Sequence, residues 1–120
     1  MAEGAALVRS GTVVVVNGES MGKGDDGLGA KLLGNFLRTA GTVDPKPDAI
    51  VFYNAAVKLL GPGSQSLDAL RALDSAGVDL LACVTCLEFF GLTQQLEVGR
   101  VSGMREIVQR TMEAGKVWTL

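Results

Sequence analysis

Cys83-Val84-Thr85-Cys86 sets two thiols three residues apart in a chain of 120, a spacing of about one helical turn. A thiolate attacks sulfane sulfur or a disulfide, so a cysteine placed where a strand hands over to a helix, with amide N–H groups facing its sulfur, is a candidate nucleophile. Cys83 is read as that nucleophile and Cys86 as the thiol that resolves a persulfide or mixed disulfide formed on it. The plain alternative is that both are small packing residues, free cysteine being among the most buried types. A thioredoxin-like pair would need a Trp or Pro beside it and a different order of elements. As a zinc site the motif is half complete: there is no second CxxC, and the chain has no histidine. The missing histidine also removes Ser-His-Asp and Cys-His catalysis.

Gly22-Lys23-Gly24-Asp25-Asp26-Gly27 matches G-x-G-x-x-G between a strand and a helix. It begins several residues after its strand, however, it would turn two carboxylates toward a pyrophosphate, and the next strand closes on Phe52-Tyr53-Asn54 without an acid for a ribose. Gly18 to Gly24 fails as a Walker A loop through its short spacing and a glycine where the hydroxyl belongs. No cofactor is expected. Two readings of the loop stay open: Gly22 and Gly24 let it pass close to the cysteines while Lys23 attracts an anionic substrate, or it is an ordinary solvated turn. Asn54 and Lys58 lie just beyond a strand and are placed to line the same edge; a turn cap and a solvated lysine are the alternatives.

The elements that must position these residues follow from apolar runs and breakers. Thr12–Val16, 49–53 and 78–82 are apolar runs bounded by turn residues, the pattern of strands buried on both faces. A loop over 17–27 precedes a helix carrying Leu28, Leu32, Leu33, Phe36 and Leu37, with Asp25 or Asp26 as its cap and an end near Gly41. Residues 54–62 read as a loop or short turn. Ser64 or Ser66 caps a helix bearing Leu67, Leu70 and Leu73, closed by Gly77. A short helical piece over 87–91, a strand over 98–101, a helix over 103–114 with Met104, Ile107, Val108 and Met112 on one face, and a closing strand over 116–120 complete the chain. Strand and helix alternate, which predicts one α/β domain over 12–120: a three-layer, doubly wound, mainly parallel sheet of about five strands behind a flexible segment 1–11. In such a sheet, sites gather at the carboxyl ends of the strands.

An apolar share of 48% is enough for a real core at this length. Eleven Lys and Arg against thirteen Asp and Glu, a net charge of −2 without a basic cluster, removes the electrostatic footprint of a nucleic-acid binder. Neither a secretory signal nor a membrane-spanning stretch is read, so a cytoplasmic protein with reduced thiols is expected.

The segments Met21-Gly-Lys-Gly-Asp-Asp-Gly-Leu-Gly, Val51-Phe-Tyr-Asn, Val57-Lys-Leu, Cys83-Val-Thr-Cys-Leu and Gly103-Met-Arg-Glu-Ile-Val resemble, in order and over nearly the whole chain, the DsrE-like domain of YedF-type proteins. That resemblance implies a flavodoxin-like parallel sheet, a homo-oligomer, and sulfur transfer or selenium metabolism. Its sulfur-relay members carry a persulfide on a cysteine just after a central strand, where Cys83 stands. Donor and acceptor proteins for sulfur or selenium are the implied partners. Val84 replaces the glycine usual in these proteins and Gly103 an asparagine. A β-branched Val84 stiffens the turn at the nucleophile. YedF-type proteins also carry an N-terminal TusA-like domain, absent from these 120 residues, so the expectation is a chain that stands alone, is a piece of a longer protein, or takes sulfur from a separate partner such as a TusA-like protein. The competing expectation is a non-catalytic oligomeric module of the same fold.

Overall fold

The computed structural model describes residues 9–120, so most of the segment read as flexible, residues 1–8, lies outside the described residues. Five strands build one sheet: β1 (Thr12–Val16), β2 (Ala49–Phe52), β3 (Asp79–Cys83), β4 (Arg100–Ser102) and β5 (Lys116–Thr119). Every pairing is parallel, and the order across the sheet is β4-β3-β2-β1-β5. Around them run helices α1 (Asp26–Ala40), α2 (Leu67–Ser75), α3 (Val84–Phe89) and α4 (Met104–Glu113), with a 3-10 helix over Asn54–Leu60. That 3-10 helix replaces the loop expected there: its buried Ala56, Val57 and Leu60 supply an apolar face that the Gly and Pro after it had masked in the sequence. No helix among the described residues is long and apolar enough to cross a membrane.

The alternation of side chains along each strand divides the core in two. Val14, Val16, Ile50, Phe52, Leu80 and Ala82 face one side, where α1, α2, α3 and the 3-10 helix cover them. Val13, Val15, Ala49, Val51, Leu81 and Cys83 face the other, where α4 contributes Ile107. The sheet is thus a middle layer, doubly wound as its periodicity implied. The helices that follow β3 and β4 leave to opposite faces. A sheet opens a crevice at its carboxyl edge where neighbouring strands part in this way, and here the partners across that point are Cys83 and Ser102.

Most boundaries moved by a residue or two, and α3 begins three residues before the helical piece expected there. β3 runs one residue further than expected, through Cys83, because β4 pairs with it there. Asp25 is the cap of α1, its carboxylate accepting the Leu28 N–H at 2.8 Å. Ser66 stands at the start of α2 without a side-chain capping bond, and the Ser64 hydroxyl instead accepts the Ser66 N–H. On α4 only Ile107 is buried; Met104, Val108 and Met112, expected on the same face, are exposed.

The edge strand β4 is held by charge. Arg100 donates to both oxygens of Asp79 at 2.9 Å and to both oxygens of Glu106, while Arg110 donates to Asp79 at 2.7 Å. The Arg100 guanidinium is the main cause that holds the Asp79 and Glu106 carboxyls down at about 2. Both folded values lie below those of an unfolded chain, so the network contributes stability above about pH 4 and loses it as the pH falls toward 2. The pairs are partly solvated, which limits their worth. Arg100→Gln is therefore expected to melt roughly 2–5 °C below wild type at pH 7, with the gap closing by pH 2; a gap that is constant across thermal scans from pH 7 to 2 contradicts this.

Candidate functional site

Cys83 ends β3 and caps the six-residue helix α3, so the chain turns sharply at its Cα. Strand alternation points its side chain to the α4 face, among Leu81, Val51 and Ile107, with 2% of its surface exposed. The capping bond expected from helix amides to this sulfur is not formed: strand alternation turns the side chain toward Val51, Leu81 and Ile107 instead. Cys86, one turn into α3, is half-buried between the two halves of the core and carries the sulfur that reaches the surface.

Cys86 Sγ accepts the backbone N–H of Asn54 at 2.9 Å. Burial raises its thiol above the ordinary cysteine value, and the neighbouring Cys83 thiol adds to that, while the Asn54 amide pulls the other way. Around Cys86 lies an open groove of about 300 Å³ lined by Asn54, Thr85, Phe89 and Phe90. None of these is charged. Phe89 and Phe90 meet edge to face, with centroids 5.0 Å apart, and Phe89 stands 82% exposed.

Lys58 is one ring removed from the groove. Its ammonium lies 4.6 Å from the Phe90 ring centre, a cation–π distance, and 4.0 Å from Glu19. It therefore borders an adjoining cleft with Glu19, Ser64 and Leu92, not the space over the sulfur. The structure thus brings Cys83, Cys86 and Asn54 together and sets Lys58 behind Phe90.

Gly22, Lys23 and Gly24 are not part of that grouping. Gly22 and Gly24 have positive φ of 80° and 139°, which explains glycine at both, but no atom approaches within 4 Å of where a side chain would start. The close passage expected of this loop is therefore not seen at its glycines, and Lys23 is exposed. A different glycine makes the close contact. A Cβ at the buried Gly29 would stand 3.1 Å from the Met21 carbonyl and collide with the Ser20 hydroxyl, and the Met21 N–H bonds back to the Gly29 carbonyl at 2.9 Å. The loop is tied to α1 by that contact. Phe89, Phe90 and Thr85 went unread as groove residues because a short helix of mixed type has no telling period. A larger cavity, about 400 Å³, opens at the other end of the sheet among Ser10, Asp48, Arg110 and Glu113, away from both sulfurs.

The model of the DsrE/DsrF-like family matches residues 11–120. Among solved structures, the chain is similar to the ychN protein of E. coli, with 24% identity and a TM-score of 0.71 over 92% of this chain and 99% of that one. A protein of unknown function from Methanobacterium thermoautotrophicum, MTH1491, gives 24% and 0.67 over 91% and 97%. BT1422 of Bacteroides thetaiotaomicron, likewise of unknown function, gives 17% and 0.62 over 91% and 94%. These likenesses show the five-stranded parallel α/β fold. No curated protein matches the chain.

Proposed function

Because the chain belongs to the DsrE/DsrF-like family, we propose that it is a sulfur or selenium carrier whose chalcogen is held as a persulfide, or its selenium counterpart, at the Cys83–Cys86 pair. One observation carries this reading: two free thiols three residues apart at the carboxyl edge of a parallel sheet, one of them open to a groove and accepting a backbone N–H. The fold directs ligands to that edge, and the amide favours the anionic sulfur that the chemistry uses.

The step balances without an outside oxidant. The Cys86 thiolate attacks the outer sulfur of a donor persulfide; a new S–S bond forms on Cys86, the old one breaks, and the donor leaves as thiolate. An acceptor thiolate then attacks the outer sulfur and takes it, restoring Cys86. Exposure favours Cys86 as the point of entry and Cys83 as the inner partner, an exchange of the roles that the strand-to-helix position alone suggested. Donor and acceptor are proposed to be proteins, a TusA-like protein among them, and the site that of a cytoplasmic, reducing environment. Incubating the reduced protein with a persulfide donor, or with selenite and a thiol, and weighing it intact tests the reading. A gain of one chalcogen atom is expected; unchanged mass with every donor sinks it.

A second reading, a non-catalytic oligomeric module, draws on α4. Met104, Val108 and Met112 recur at intervals of four and stand exposed, an apolar stripe suited to burial against another copy. If a homo-oligomer uses it, Val108→Glu is expected to lower the sedimentation mass to that of one chain while leaving the circular dichroism intact. A mass equal to that of wild type rules the stripe out as the contact.

A further inference from the structure

The strand β2 ends at Phe52, and Tyr53 continues extended with φ −137° and ψ 168°, its N–H bonding the Val16 carbonyl at 3.1 Å. The chain must then turn at once into the 3-10 helix that begins at Asn54. Asn54 makes the turn with φ +55° and is the one non-glycine residue of positive φ among the described residues. Asparagine tolerates that region better than most residues, though glycine does so more easily. The amide of a first helical residue has no acceptor within its own helix. Here it has one outside: the sulfur of Cys86, on the helix that follows the neighbouring strand, at 2.9 Å.

We propose that Asn54 is the positioning residue of the thiol site and acts through its backbone: its left-handed conformation aims the amide N–H at Cys86 Sγ and so steadies the sulfur as an anion. It deepens the carrier reading and rests on it for its purpose, though not for its test. Backbone conformations of this sort persist where the surroundings hold them, and they gather at sites that use them. A left-handed turn could be made by a residue whose N–H faces water; at Asn54 it faces the one sulfur that borders the groove. The side chain of Asn54 is exposed and lines that groove, so backbone and side chain are separable by substitution.

The test follows the single remaining thiol in a Cys83→Ser background by its rate of alkylation with iodoacetamide across pH. Asn54→Gly keeps the N–H and the positive φ, and its midpoint is expected to equal that of the parent. Asn54→Val, β-branched, resists positive φ and swings the amide away; its midpoint is expected to rise and its rate at neutral pH to fall about tenfold, the effect of losing one hydrogen bond to a charged acceptor. Asn54→Ala serves in its place should the valine chain not fold, with the same direction. Equal midpoints for Asn54→Gly and the β-branched or alanine variant overturn the proposal. So does a glycine variant that loses reactivity with them, because the side chain would then be the active part. Failure of chalcogen loading in the parent protein would remove the carrier reading without touching these titrations.

Discussion

In Cys86→Ser, chalcogen loading from a persulfide donor is expected to fall by roughly a thousandfold or more, the scale on which removal of a nucleophile acts, while Cys83→Ser still gains one atom in mass. The ground for the difference is depth. A donor persulfide must approach along the S–S axis, and only Cys86 meets the groove, where Asn54 donates to it. Cys83 lies behind it, packed against Ile107 and Leu81 and shielded from solvent. Removing Cys83 takes away a thiol that pushes Cys86 up, so Cys86 in the variant is expected to form thiolate at lower pH than in wild type. The reverse outcome, loading kept in Cys86→Ser and lost in Cys83→Ser, would return the nucleophile to Cys83 and require the crevice between β3 and β4 to open.

The largest expected effect on stability is at Phe52. Its ring is fully buried in the middle of the sheet, opposite Val16 on β1 and Ala82 on β3, with Leu37, Leu70 and Leu73 in the same core cluster. Truncation to alanine removes the largest apolar side chain of that cluster and leaves a cavity that stiff strands cannot close, at a cost of about 3–5 kcal/mol. Urea unfolding of Phe52→Ala should show a midpoint lowered accordingly with an unchanged slope. As a control, Val101→Ala, on the exposed edge strand, should stay within about 0.5 kcal/mol of wild type. A Phe52→Ala chain that loses less than the Val101 control would contradict the placement of the ring.

The strands were legible because a segment buried on both faces must be apolar throughout, and Val13 to Val16 and Ala49 to Phe52 are. The alternation of strand and helix then left few topologies, and the handedness of crossovers selected among them. The cysteines were placed at the right edge by the same logic. Their depths were not, because which sulfur meets solvent depends on the pleat at Cys83 and on the turn of α3, a matter of one residue in the end of β3. Asn54 and Gly29 act through contacts 32 residues away in one case and with a preceding loop in the other. Nothing local to either marks the partner. Gly22 and Gly24 left two readings open for a different reason: a glycine needed for positive φ looks the same in sequence as one needed for close approach. The exposure of the α4 stripe was not legible because a helix face that is apolar in sequence gives no sign of whether its cover comes from the same chain.

Of the two thiols, Cys86 borders the groove and Cys83 is buried, so the site has an outer and an inner cysteine. Under the carrier reading, donor and acceptor would both meet Cys86 alone, and delivery and collection would have to alternate in time. An atom that moved to the inner position would lie beyond the reach of stray oxidants and bulk thiols, a form of storage that a single surface cysteine does not offer.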